Sequence, residues 1–174
     1  MRGDMRADSR GSADAPEDTP EDRCGDMRAA EKLFMREAME LAARAAAGGD
    51  VPVGALVVVD GAVVARGWNT RECEHDPAGH AEIMALRAAG AALGRWRLDD
   101  ADIYVTLEPC TMCAGAMVGA RIRRLIFGAW DEKAGAAGSL RDVVRDPRLN
   151  HRIEVIGGVL EEETSAQLRK FFRG

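Results

Sequence analysis

The sequence predicts an α/β protein with a three-layer α-β-α arrangement, a mixed five-stranded sheet lying between helices. Three observations lead there. Helical and β-type periodicities alternate along nearly all of the chain after residue 28. Two β-rich runs flank Asp60-Gly61, a strong signal for a tight antiparallel hairpin. The length of 174 residues and an apolar share of 47% are enough for one domain with a buried core.

Residues 1–26 contain no Val, Ile, Leu, Phe, Tyr or Trp. They cannot bury enough surface to offset the entropy of ordering and are expected to form a disordered acidic extension. Their eight acids and four arginines give −4, so the chain's −5 leaves only −1 for the domain at 27–174. Met27 opens that domain and is a candidate alternative start.

Leu33, Phe34, Met35, Ala38, Met39, Leu41, Ala42 and Ala45 recur at helical spacing, which predicts a helix over 29–47, ended by Gly48-Gly49. Residues 53–59 and 62–67 are the strands of the hairpin. A polar loop over 69–79 contains Pro77, and 80–93 reads as helix. Residues 102–107 form a strand, and Pro109 suits the first turn of a helix continuing to 119. Another strand is expected at 124–128. A Gly/Ala loop over 134–138 then leads to a short helix at 139–145. Residues 153–156 form the last strand and 160–172 a closing amphipathic helix. The expected order is α-β-β-α-β-α-β-α-β-α.

Two short motifs fall at predicted helix starts: His80-Ala81-Glu82 and Pro109-Cys110-Thr111-Met112-Cys113. His80, Cys110 and Cys113 are zinc-ligand types, and three protein ligands leave a tetrahedral ion one position for water. Cys110 and Cys113, three apart, share one helix face, and a helix N-terminus favours the thiolate. Glu82, two residues from His80, points elsewhere and can act as a proton shuttle. Four cysteines in a chain of this size are not a secreted disulfide framework. A cytoplasmic address follows, with no membrane span and no secretory signal.

These stretches, with Val51-Pro52-Val53-Gly54-Ala55, Gly67-Trp68-Asn69, His75-Asp76-Pro77, Tyr104 to Met117, Gly135 to Leu140, Asn150-His151-Arg152 and Phe171-Phe172-Arg173, resemble the bacterial tRNA-specific adenosine deaminases, members of the zinc-dependent cytidine deaminase superfamily. The resemblance covers roughly residues 33–173. It implies a cytidine-deaminase-like fold and hydrolytic conversion of adenosine to inosine at the wobble position of a tRNA anticodon. It implies one Zn2+ per subunit held by His80, Cys110 and Cys113, Glu82 as the catalytic proton shuttle, and a homodimer acting on the anticodon stem-loop. No DNA partner is implied. Asn69 matches the position that binds the flipped base, and Asp131 one near the target nucleotide's sugar. Arg71 replaces a Pro common in the family. The arginines after the Gly/Ala loop (Arg141, Arg145, Arg148, Arg152) and the C-terminal Arg169, Lys170 and Arg173 are candidates to meet phosphate.

Two other readings share parts of this pattern. A free-base deaminase for guanine or cytosine uses the same metal motif. A non-catalytic zinc-stabilised RNA-binding module would need the metal but not Glu82.

Overall fold

A computed structural model describes residues 20–173, and residues 1–19 of the expected extension lie outside it. Helix α1 spans Pro20–Ala47, so it starts well before residue 29 and takes in the end of the segment expected to be disordered. Proline is tolerated at a first helical position, and no further Pro and no β-branched residue follows up to Ala47. The helix therefore extends beyond its apolar stripe. It stops at Gly48-Gly49, where Gly49 takes a positive φ of 85°.

Strands β1 (Gly54–Val59) and β2 (Ala62–Trp68) form the expected hairpin. Asp60 and Gly61 both have positive φ, 49° and 75°, as the tight turn between right-twisted strands requires. Helix α2 (Ala81–Leu93), β3 (Ala101–Leu107), α3 (Thr111–Ala120), β4 (Arg124–Ala129), β5 (Glu154–Ile156) and α4 (Glu161–Arg173) follow. The strand order is β2-β1-β3-β4-β5. β1 runs antiparallel to both neighbours, whereas β3, β4 and β5 are parallel.

The short helix expected at 139–145 does not form. Backbone hydrogen bonds to other parts of the chain claim this stretch: Val143 N–H donates to the Ala136 carbonyl and Ile153 N–H to the Val144 carbonyl, both at 2.9 Å. The β-branched pair Val143-Val144 suits that extended path, with Val144 fully buried. The described chain thus has four helices where five were expected.

Alternation along the strands builds two cores. Ala55, Val57, Ile103, Val105, Leu125 and Phe127 face α2 and α3 with Ala81, Ala85, Ala114 and Met117. Leu56, Val58, Tyr104 and Ile126 face the other way, onto Met35, Ala38 and Leu41 of α1. Close approach of helix to sheet depends on glycine. A Cβ at Gly67 would collide with the Ala81 carbonyl and the Ala85 amide, so α2 sits directly on β2 there. That contact seats the start of α2, which carries His80 and Glu82.

Candidate metal centre

Each ligand-bearing helix begins just beyond the sheet. His80 is the residue before α2, with extended backbone (φ −83°, ψ 147°), and Cys110 holds the same place before α3 (φ −72°, ψ 173°). Pro109 therefore precedes this cap and does not lie in the first turn of α3 as expected. Neither side chain makes a capping hydrogen bond to its own helix. Instead the His80 imidazole and the Cys110 thiol turn toward each other, and Cys113, one turn into α3, completes the group.

His80 Nδ1 lies 3.6 Å from Cys110 Sγ and 3.5 Å from Cys113 Sγ. The three donor atoms are all within 4.8 Å of one another, and among the described residues no fourth His, Cys, Asp or Glu joins them. The two thiols are driven in opposite directions. The hydrogen bond from Cys113, with that from His80, holds Cys110 down at about 3. The same contact with Cys110, together with burial, pushes Cys113 far up. The bond to Cys110 raises His80. A cluster that stabilises one thiolate against an imidazole and a second sulfur is a donor set of the kind that holds zinc.

Glu82 sits in the first turn of α2, 4% exposed, and burial pushes its carboxyl up to about 7. It and His80, Cys110, Asn69 and Asp131 line one cavity of about 190 Å3, whose mouth is marked by exposed Arg71 and Glu72. The structure thus gathers five of the six expected site residues around one space, with Cys113 buried just behind it.

Asn69 has a second task. Its Oδ1 accepts the Ala81 N–H at 2.9 Å, taking the first free donor of α2. Asp131 Oδ1 accepts the backbone N–H groups of Lys133 and Ala134 at 2.9 and 3.1 Å, which folds the chain leaving β4 into a turn. Of the arginines expected at phosphate, Arg145 and Arg148 are paired with Asp142 and Asp146. Arg123 and Arg124 both bind the buried Asp102 at the far end of β3.

Two buried carboxylates that sequence reasoning passed over shape the pocket. Glu108, 2% exposed, accepts the N–H groups of Asp131, Ala137 and Ser139, each at 3.0 Å, and the Ser139 hydroxyl. Burial opposes its charge, but the Ser139 hydroxyl and those amides hold it below the usual carboxylate value. Gly135 lies so close that a Cβ would collide with the carboxylate. Asp50, 1% exposed, accepts the N–H of Glu72 at 2.9 Å and of Cys73 at 3.2 Å. For Glu108 the available signal was an acid set between Leu107 and Pro109 at the end of a strand, in alternation with Asp102, Tyr104 and Thr106.

Fold and site together define a zinc-dependent deaminase of the cytidine and deoxycytidylate type. The family model for the cytidine and deoxycytidylate deaminase zinc-binding region matches residues 28–129. The tRNA-specific adenosine deaminase of Bacillus subtilis is 47% identical over 143 residues, 82% of this chain and 89% of that protein. That of Haemophilus influenzae is 48% identical, covering 82% and 83%. A structure from studies of A-to-I editing by tRNA:A34 deaminases at the wobble position superposes with a TM-score of 0.74 at 46% identity, covering 78% of this chain and 98% of the other. The guanine deaminase of Nitrosomonas europaea shares the fold at a TM-score of 0.72 but only 26% identity, over 82% of this chain and 85% of its own. The chain belongs to the tRNA-specific adenosine deaminase family.

Proposed function

We propose that this protein hydrolyses adenosine to inosine, with release of ammonia, at the wobble position of a tRNA anticodon. The observation that carries this reading is a buried acid poised near neutrality beside a three-donor metal cluster, in a pocket whose mouth is open. The much higher identity to tRNA deaminases than to a guanine deaminase favours tRNA over a free base.

His80, Cys110 and Cys113 would hold zinc, which when bound would supply Lewis-acid activation of water near neutral pH. Glu82 takes a proton from the attacking water on its carboxylate. It passes that proton to a ring nitrogen of the base, then takes the hydroxyl proton of the adduct as the carbonyl forms and the C–N bond breaks, and delivers it to the departing ammonia, a task suited to a carboxyl near 7. Asn69, held through its Oδ1 bond to Ala81, would present its amide to the base, and Asp131, on the wall of the same pocket, would meet the sugar. An anticodon loop offers bases that leave their stack at little cost, and that suits a pocket entered by one extruded nucleotide.

The working form in this reading is a homodimer. An apolar groove of about 470 Å3, lined by Ile83, Leu86, Trp96 and Ala116, lies open between α2 and α3, and Trp96 is 67% exposed. Residues 27–174 are the catalytic domain, and a tRNA substrate goes with a cytoplasmic site of action. No described helix is long and apolar enough to cross a membrane.

The test is incubation of purified protein with tRNA followed by sequencing, in which inosine reads as guanosine. A change confined to the wobble adenosine is expected. Unchanged tRNA together with ammonia release from guanine or cytosine would replace this reading with the free-base one.

A further inference from the structure

The pocket continues into a second groove. Val51, Leu107 and Asp131 line both, and the second space, about 630 Å3, extends along Trp130 to Leu168 and Phe172 of α4. Trp130 is the residue immediately after β4. Its ring meets buried Phe127 edge to face, with centroids 4.7 Å apart at 88°. Two glycines complete the seat: a Cβ at Gly157 would fall 2.8 Å from indole Cζ2, and one at Gly138 would fall 3.4 Å from Cζ3. Trp130 is nevertheless 43% exposed, and Phe172, also on the groove, is 69% exposed.

An aromatic ring that is fixed along its edge and open elsewhere has already given up the rotamer freedom that binding would cost. The charges around it decide what it takes. Asp131, Glu132 and Glu161 line the groove against a single cation, Lys133. That balance repels a phosphate and leaves a neutral planar group as the fitting occupant. We propose that Trp130 is a stacking platform for the nucleobase adjoining the target adenosine. This inference rests on the tRNA-editing reading above.

The experiment compares wild type, Trp130→Ala and Trp130→Phe on an anticodon stem-loop RNA. The same RNA is also offered with an abasic residue at each immediate neighbour of the target in turn. Zinc content and circular dichroism establish that each variant is folded. Trp130→Ala should lower kcat/KM about 5- to 150-fold on the intact RNA, the range for loss of one base–aromatic stack. It should cost nothing further on the RNA lacking the stacked base, and Trp130→Phe should retain most of the activity. Equal loss on every RNA would make the indole a structural element only and overturn the platform. Wild-type protein that forms no inosine on any RNA would instead overturn the editing reading beneath it.

Discussion

The Ser139 hydroxyl donates to Glu108 Oε2 at 2.5 Å, joining the loop that walls the pocket to the residue two before the first metal-helix cysteine. Every group facing this carboxylate is a donor. Glu108→Gln would set an NH2 against two of them. The expected cost is about 2–4 kcal/mol, the scale for losing buried bonds to a charged acceptor. Denaturant midpoints measure it, and a midpoint equal to wild type would show that the loop does not depend on this anchor. Because Asp131 hangs from the same carboxylate, KM for RNA should rise as well.

Glu82 lies beside the metal donors without being one of them, so its removal should separate metal binding from turnover. Glu82→Ala is expected to keep zinc at wild-type content, read by elemental analysis, and to lose at least about 100-fold in kcat. Turnover close to wild type would remove Glu82 from the proton path.

Asp50 links stability to pH. Burial works against its charge, but the N–H groups of Glu72 and Cys73 outweigh it and hold the carboxyl below its usual value. A lowered folded-state value means the stabilisation is present above the unfolded value, about 4, and is lost as pH falls through the folded one. Asp50→Asn should therefore be less stable than wild type at pH 7, with the gap closing in acid. Urea titrations across that range check this, and a gap independent of pH would contradict it.

Arg71 stands at the mouth of the pocket, where the other charged side chains of the lining are acids apart from His80. Among the described residues it forms no ion pair. In the tRNA-editing reading proposed above, it is the side chain at this mouth that would pair with a phosphate of the incoming strand. Arg71→Ala should raise KM for RNA with kcat little changed, and flatten the dependence of log KM on log salt by about 0.7–0.9. An unaltered salt slope would assign the phosphate contact elsewhere.

What could be read from residues alone follows the range of the forces involved. Asp60-Gly61 announces its turn because the required positive φ is a property of two residues. The metal motif is legible because ligand chemistry restricts residue type and spacing together. The stretch at 139–145 misled because its helical pattern is overruled by hydrogen bonds to Ala136 and to Ile153, partners the local sequence does not reveal. The early start of α1 is a propensity effect running on past its apolar stripe. Glu108 stayed invisible for the same non-local reason: its four donors arrive from residues 131–139. Asn69 was expected at the base through the resemblance alone, and its bond to Ala81 belongs to tertiary structure.

Gly67 never touches a reacting atom, yet it governs how low α2 rides on the sheet. One methyl group there would force α2 away from β2, and the His80 imidazole and the Glu82 carboxyl would travel with it. Tuning of this chemistry is thus within reach of a position one strand removed, where a screen confined to the cavity wall would never look.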